Sequence, residues 1–258
     1  MRGLLGAVTF LTRLPVRGAT ARADGGPSDL AATVAWFPFV GALIGVTTAA
    51  TYAVGLTVLS PLPAATLAVG GQVLLTGALH EDGLADLADA AGGPSTEDRL
   101  AILGDPRQGT FGVLALVLAV LARVAAVAGL GAVQALCALA AAHTLGRAAA
   151  VVLMGAVASV PGHEGLASGH RRALTPAHVV VASGSAVGLA ALAVGVWVLP
   201  AAAVVAVVAV IVGRWARRNL GGVTGDVLGA VTVLCEVAVL VLAAAAAAGD
   251  GPTLTWWR

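Results

Sequence analysis

The sequence predicts an all-α, polytopic integral membrane protein: a helical bundle with about seven transmembrane spans. Of its 258 residues, 59% are hydrophobic and only 10% are charged, and its mean hydropathy is +0.97. Soluble domains carry about 25% charged residues. Apolar runs of roughly 20 residues, the length that crosses a bilayer as a helix, recur along the whole chain. We therefore expect one membrane domain over residues 1–258.

Seven apolar segments set the expected order of the spans. The sixth is short and begins at Pro200, so a half-helix or a bent hairpin is the alternative there, and the count ranges from six to eight. Before Pro15, the first 14 residues are expected to form an amphipathic helix at the membrane surface. The predicted spans are residues 34–59, 64–80, 109–129, 134–158, 178–198, 200–213 and 225–248.

Arginine distribution predicts the topology. With the N-terminus inside, the outside loops and the C-terminus hold only Arg258, which fits the positive-inside rule for a multi-pass protein of the cell (inner, or cytoplasmic) membrane. Segments 81–108, 159–177 and 214–224 are then cytoplasmic. The arginines on the predicted inner side are Arg2, Arg13, Arg17, Arg22, Arg99, Arg107, Arg171, Arg172, Arg214, Arg217 and Arg218.

Charge and cysteine usage exclude several classes of protein. The net charge is +1, so bulk charge gives no reason to expect a nucleic-acid partner. Cys137 and Cys235 both lie in apolar segments, which argues against a disulfide framework or a zinc cluster. The lipid bilayer is the expected surroundings, and the sequence leaves the oligomeric state open, a homo-oligomer included.

Residues 77–93, GALHEDGLADLADAAGG, concentrate acidic residues beside an apolar span. In a helix Asp82, Asp86 and Asp89 fall at about 0°, 40° and 340°, and so share one face. Glu81 lies about 100° away. His80 lies nearly opposite, and joins the acidic residues only if the helix changes course near Gly83.

Like charges on one helix face repel each other, and a divalent cation would relieve that repulsion. Carboxylate oxygens suit a hard ion, and Mg²⁺ in particular is often shared between carboxylates and substrate phosphates. The alternative is a solvated helix end. Apolar residues between the acids, such as Leu84 and Leu87, favour the cation site over a solvated surface.

Two more acidic positions border glycine-rich helix starts on the predicted inner side. Asp105 and Arg107 lie in GDPRQGTFG, where glycines permit close approach of a phosphate, although a simple Asp–Arg ion pair is the alternative. Asp226 lies in GGVTGD, where it is either a favourable charge at a helix N-terminus or a ligand near the first carboxylates.

Ionisable residues also interrupt the predicted spans: Arg123, Arg147 and Glu236, with His143 four residues before Arg147. Intramembrane charges are costly and mark candidate functional sites. A structural alternative is an internal ion pair of Glu236 with Arg123 or Arg147.

Five stretches, in order along the chain, resemble cobalamin synthase, the adenosylcobinamide-GDP ribazoletransferase family. Its H-x-D-G-x-A-D-x-x-D and D-x-R-x-G-T-F-G patterns are specific when they occur together. Glu81 stands where an apolar residue is expected and Ala78 where a second glycine is expected, so only the role of Glu81 is in doubt. The stretches are FLTRLP (10–15), WFPFVGALIG (36–45), GALHEDGLADLADAAGG (77–93), LGDPRQGTFGVLAL (103–116) and GGVTGDVLGA (221–230).

The resemblance implies a Mg²⁺-dependent membrane enzyme that joins α-ribazole, or its 5′-phosphate, to adenosylcobinamide-GDP and releases GMP. On that basis the metal ligands are expected to be Asp82, Asp86 and Asp89. Either Asp89 or His80 would be the general base.

The same resemblance gives roles to residues outside the first stretch. Asp105 and Asp226 would complete the metal shell or orient the ribazole hydroxyl. Arg107, together with Arg147, would bind phosphate.

Two other functions are compatible with a polytopic chain of this kind. A CDP-alcohol phosphotransferase-like enzyme also uses an Asp cluster at a helix end, but Ala90 stands where that pattern needs glycine. A small-molecule transporter would distribute its charges along a path through the bilayer, whereas here the acidic residues gather on one side.

Overall fold

Among residues 2–15, 27–162 and 174–248, the parts of the chain that the computed structural model describes, all regular secondary structure is helical apart from one isolated bridge between Ser159 and Val223. The predicted all-α bundle is therefore confirmed. The helices are α1 Arg2–Leu11, α2 Pro27–Ala35, α3 Phe37–Gly55, α4 Pro61–Thr76, α5 Leu79–Ala90, α6 Thr96–Leu103, α7 Thr110–Ala128, α8 Ala132–Ala156, α9 Pro176–Val194, α10 Val198–Asn219 and α11 Gly225–Ala248.

Within the described residues, five helical segments are long and apolar enough to cross a membrane, and a sixth is added if α4 and α5 count as one broken span. One of the five, Pro176–Asn219, has 44 residues and joins α9 to α10. At 1.5 Å per residue it would be about 66 Å long, twice a bilayer's hydrocarbon thickness. A break at Gly195, with φ +55° and ψ −129°, divides it into α9 and α10. The sequence predicted two spans here but placed the bend at Pro200, which lies within α10.

The predicted span 64–80 was wrong at its C-terminal end. Helix α4 stops at Thr76, and Gly77 and Ala78 both adopt left-handed backbone conformations, with φ of +65° and +57°. Successive left-handed residues cannot continue a right-handed helix, so α4 and α5 meet at 91°. Because the turn lies before His80 and not near Gly83, His80 stays on the same straight helix as the acidic residues.

Helix α8 is the central helix of the bundle and packs against α3, α9, α10 and α11. Its contact with α3 is close because Gly41 and Gly45, four residues apart, lie directly against the α8 carbonyls of His143 and Leu139. A side chain at either glycine would collide with that backbone. Small residues at this spacing are the usual means by which membrane helices approach closely.

Helix α7 presents an apolar stripe to its surroundings. Its exposed residues Phe111, Leu114, Leu118 and Leu121 recur at helical spacing on one side. In a membrane-spanning bundle such a stripe faces lipid, where it costs nothing to leave apolar side chains uncovered.

Two of the segments predicted to be cytoplasmic, 159–177 and 214–224, meet where they are described. The amide of Val223 donates to the carbonyl of Ala158 at 2.8 Å, and the amide of Val160 donates to the carbonyl of Val223 at 3.2 Å. Five arginines of the sequence analysis lie outside the described residues: Arg17, Arg22, Arg171, Arg172 and Arg258.

Candidate active site

Helix α5 has a buried back and an accessible acidic front. Most of its apolar residues, among them Leu84 and Leu87, are buried against the bundle, whereas Asp82 is exposed and Asp86 and Asp89 are half-buried. The predicted grouping of these three acids on one side of the helix is confirmed. We call the surface formed by Asp82, Asp86, Asp89 and Asp226 the acidic face.

Asp226 joins this surface because α5 packs closely on the start of α11. A Cβ atom added at Gly83 would lie 2.7 Å from the Asp226 carbonyl oxygen, so only glycine permits this approach. The Asp86 carboxylate is in electrostatic range of Asp82, Asp89 and Asp226. The expectation that Asp226 lies near the first carboxylates is therefore confirmed.

Asp226 also belongs to the first turn of α11, the other role that the sequence left open. The hydroxyl of Thr224 lies 3.2 Å from Asp226 Oδ2 and 3.4 Å from the amide nitrogen of Val227. A carboxylate in the first turn is stabilised by the helix dipole. The two roles coexist, since the dipole favours the ionised carboxylate that a cation or a hydrogen-bond donor would meet.

Asp89 binds the start of α7, a role that sequence reasoning missed. Its Oδ2 accepts a hydrogen bond from the amide of Gly109 at 2.7 Å, and its Oδ1 accepts one from Gly112 at 2.8 Å. Gly109 has no side chain to cap α7, so a carboxylate from α5 does so instead. Each oxygen retains a further lone pair, which leaves Asp89 able to accept from a second partner.

Gln108 is a second residue that the sequence analysis missed. Its side-chain amide donates to Asp86 Oδ1 at 3.0 Å, which draws the segment between α6 and α7 over the acidic face. The only sequence signal was its position between Arg107 and Gly109 in the glycine-rich segment.

Asp105 and Arg107 form the ion pair that was the alternative to a phosphate site. Arg107 Nη2 lies 2.6 Å from Asp105 Oδ2, and the Arg107 amide donates to Asp105 Oδ1 at 3.0 Å. Hydrogen bonds from Arg107 lower the pKa of Asp105 to about 2, and the same pair raises the pKa of Arg107. Arg107 remains exposed, so the guanidinium is accessible to an anion as well.

Opposite the acidic face, α5 is held by an ionic network in the interior, formed by Glu81, Arg123, Glu236, Arg147, His143 and Gln72. Arg123 Nη1 lies 2.9 Å from Glu81 Oε1, 3.0 Å from Gln72 Oε1 and 3.6 Å from Glu236 Oε2. All these side chains are buried. The two carboxylates and two guanidinium groups balance, as buried charges require.

The second half of the network contains the internal ion pair that was the structural alternative for these residues. Arg147 Nη1 pairs with Glu236 Oε1, and His143 Nδ1 lies 2.8 Å from the same oxygen. Because Arg147 is only 1% exposed and is bonded to Glu236, it does not reach the acidic face, so the phosphate-binding role expected for it is not supported.

His80 is likewise separated from the acidic residues. It is buried on the back of α5, and its backbone lies against Gly229 of α11. The role of general base expected for it therefore has no support from the geometry, because on an uninterrupted α5 the helical spacing places His80 nearly opposite the three aspartates.

The acidic face suits a hard cation in its donor chemistry, since every candidate ligand is a carboxylate oxygen. Among the described residues, no three His, Cys, Asp or Glu side chains are close enough together to hold a metal ion unaided. Mg²⁺ usually takes one or two carboxylates and fills its remaining positions with substrate phosphates and water. The arrangement fits a Mg²⁺ ion that is shared with a bound diphosphate.

Comparison with known proteins identifies the same family that the sequence motifs resemble. The family described as cobalamin-5-phosphate synthase matches residues 3–244, which include every residue of the acidic face. The chain belongs to this family. No solved structure matches the chain.

Relatives of this cobalamin-5-phosphate synthase family member are similar over almost their whole length. An adenosylcobinamide-GDP ribazoletransferase of Azorhizobium caulinodans is 40% identical, over 91% of this chain and 92% of its own. One from Albidiferax ferrireducens is 38% identical over 92% and 95%, and one from Chlorobaculum tepidum is 37% identical over 95% of each chain.

Proposed function

We propose that this chain is an adenosylcobinamide-GDP ribazoletransferase. It would transfer the hydroxyl of α-ribazole, or of α-ribazole 5′-phosphate, onto adenosylcobinamide-GDP and release GMP, forming adenosylcobalamin or its 5′-phosphate. The observation that carries this proposal is the juxtaposition of the two family stretches that form the acidic face, α5 and the start of α11, through the contact of Gly83 with Asp226.

The proposed reaction breaks one bond of the diphosphate. A ribose hydroxyl oxygen of the ribazole, one that stays free when the 5′ position is phosphorylated, attacks the phosphorus that carries the cobinamide, and the bond from that phosphorus to the bridging oxygen breaks. GMP leaves with the bridging oxygen, and the hydroxyl proton passes to a carboxylate. Such transfers depend mainly on positioning and on neutralising phosphate charge.

The acidic face supplies the groups for these tasks. Asp82, Asp86 and Asp226 are the candidate ligands, of which Mg²⁺ would take one or two and share its remaining positions with the diphosphate, whose oxygen charge the ion would neutralise. Asp89 is proposed to orient the site by fixing the start of α7, and its remaining lone pairs allow it to contribute to the metal shell or to accept the hydroxyl proton.

The segment between α6 and α7 is proposed to bind the substrate's phosphates. Arg107 is exposed and lies one residue before Gln108, which contacts Asp86. Release of Arg107 from Asp105 would provide a guanidinium for the diphosphate, and Asp105 would then be free to orient the ribazole hydroxyl.

We further propose that the acidic face opens to the cytoplasm, with the N-terminus inside, in the inner membrane. The support is the arginine distribution: Arg214, Arg217 and Arg218 are exposed at the end of α10, just before the segment that leads into Asp226. A reporter protein fused after residue 95 is expected to be cytoplasmic, and an external signal would contradict this topology.

The proposed activity is tested with the full chain in lipid nanodiscs. Adenosylcobinamide-GDP is supplied with α-ribazole or with α-ribazole 5′-phosphate, and corrinoid product and GMP are measured by chromatography, with Mg²⁺ and with a chelator. We expect equal amounts of GMP and corrinoid product with Mg²⁺, and neither product with the chelator. Absence of product with both ribazole forms would overturn the proposal, and GMP release with Mg²⁺ chelated would overturn the metal role.

Substrate arms of the same assay separate the alternatives. A CDP-alcohol phosphotransferase would release CMP from a CDP-activated lipid, and a transporter would accumulate the corrinoid in sealed vesicles without releasing GMP. Either result in place of ribazole transfer would replace the proposed function.

A further inference from the structure

The buried side of α5 carries a charged residue, Glu81, next to the acidic face. Glu81 immediately precedes Asp82, is only 4% exposed and bonds Arg123 of α7 at 2.9 Å. Arg123 in turn contacts Gln72 of α4 and Glu236 of α11. Through one guanidinium, α5 is therefore connected to three other helices.

Glu81 lies in the first turn of α5, which neither a preceding continuous helix nor a side-chain cap stabilises. The helix has only 12 residues and begins after the left-handed pair Gly77 and Ala78, so its first turn is not braced by a continuous α4. No side chain caps that first turn. The Glu81–Arg123 pair is the polar tether at this end, and the Asp89 contacts with α7 fix the other end.

We propose that Glu81, acting through Arg123, is a positioning residue that sets the depth and rotation of α5 and thereby aims Asp82 and Asp86. Glu81 and Asp82 are consecutive on one rigid helix, so a rotation at Glu81 is transmitted to the acidic face without loss. Displacement of a reacting geometry by about 1 Å costs up to about 100-fold in rate. This inference rests on the proposed function for its catalytic readout only.

The test uses three variants of Glu81 and one control in the full chain in nanodiscs. Glu81→Leu removes the tether, Glu81→Gln keeps an acceptor oxygen, and Glu81→Leu/Arg123→Met removes both charges so that neither remains buried and unpaired. Replacement of a buried ion pair by apolar side chains usually preserves stability. The control is Glu97→Gln, an exposed carboxylate on α6.

Hydrogen–deuterium exchange and kinetics give separate readouts. In the double variant we expect residues 79–90 to exchange at least about tenfold faster while α8 is unchanged. We expect kcat to fall about 10- to 100-fold, with KM for adenosylcobinamide-GDP changed by less than about threefold. The thermal midpoint of the double variant should match that of the wild type. The kcat of Glu81→Gln should lie between the values for the wild type and Glu81→Leu, and that of Glu97→Gln should match the wild type.

A purely stabilising role gives a different pattern. If the double variant recovers both its thermal midpoint and its kcat, Glu81 contributes only stability and the positioning role is wrong. Unchanged exchange over residues 79–90 in that variant contradicts it equally. If the wild type lacks ribazoletransferase activity, the proposed function fails, and the exchange measurement alone decides whether Glu81 positions α5.

Discussion

The acidic face and the buried ionic network lie on opposite sides of α5 and use charge in opposite ways. On the front, Asp82, Asp86 and Asp226 carry like charges within range of one another. On the back, Glu81 is matched by Arg123 and fully buried. The charges of the balanced cluster satisfy one another without a ligand, whereas the like charges on the front repel one another and a cation or substrate would relieve that repulsion. The difference therefore separates the structural from the functional side of one helix.

The largest expected effect is on activity at the front. We predict that Asp82→Asn lowers ribazoletransferase turnover by at least about 100-fold, because an amide neither neutralises nor orients a bound cation as a carboxylate does. The thermal midpoint should not fall, since removal of one of several like charges relieves repulsion. Asp98→Asn, an exposed carboxylate on α6, is the matched control. Turnover near the wild-type rate would remove Asp82 from the site.

On the back, the largest expected effect is on stability. Glu236→Gln leaves Arg147 and Arg123 without the carboxylate that pairs with both, and breaking a buried pair costs about 3–5 kcal/mol. We therefore expect a lower thermal midpoint in detergent or nanodiscs and less folded protein in the membrane, measured by fluorescence-detected size exclusion. A midpoint equal to that of Glu97→Gln would show that the network does not hold the bundle together.

Asp89 should behave as a mixture of the two regions, because it lies on the acidic face but is bonded to α7 amides. An asparagine offers one acceptor oxygen in place of two, so Asp89→Asn loses one cap contact, which costs about 1 kcal/mol. We expect turnover to fall about tenfold through displacement of the segment before α7. Faster hydrogen exchange at residues 109–113 would accompany that loss. A rate loss as large as that of Asp82→Asn with unchanged exchange would instead indicate direct chemistry.

The smallest expected effect concerns the exposed pair of Asp105 and Arg107. Arg107 depresses the pKa of Asp105 from 3.8 to about 2, so the stabilisation by this pair is complete above the ordinary pKa and is lost as the pH falls from 3.8 towards 2. The difference in thermal midpoint between wild type and Asp105→Asn should therefore stay constant between about pH 5 and 8. A difference that changes within that interval would contradict the pairing.

The sequence predicted the features that depend on local composition. Most of the predicted spans coincide with helices within a few residues because their apolar runs are long, although the predicted span 200–213 ends well before α10 does. The periodicity of Asp82, Asp86 and Asp89 was sufficient to find the acidic face. For Asp226 in the GGVTGD stretch the sequence left two roles open, and the structure shows both: it lies in the first turn of α11 and near the carboxylates of α5.

The features that the sequence did not predict depend on contacts between residues far apart in the chain, which no local pattern encodes. The bend before His80 needed the backbone conformation of Ala78, which alanine rarely adopts. Pairing of Glu81 with Arg123 joins positions 42 residues apart, and the cap of α7 by Asp89 joins positions 20 apart. For the same reason Arg147 was expected to meet phosphate, although Glu236 binds it in the interior.

The most direct test of the acidic face is a Mg²⁺ titration of ribazoletransferase turnover in the wild type, Asp226→Asn and Asp98→Asn. Asp226 is the residue that only the packing of α5 on α11 brings to the site, so its variant tests the juxtaposition itself. We predict that Asp226→Asn raises the Mg²⁺ concentration for half-maximal turnover at least about tenfold, while Asp98→Asn leaves it unchanged. An unchanged Mg²⁺ requirement in Asp226→Asn would contradict a shared cation site on the acidic face.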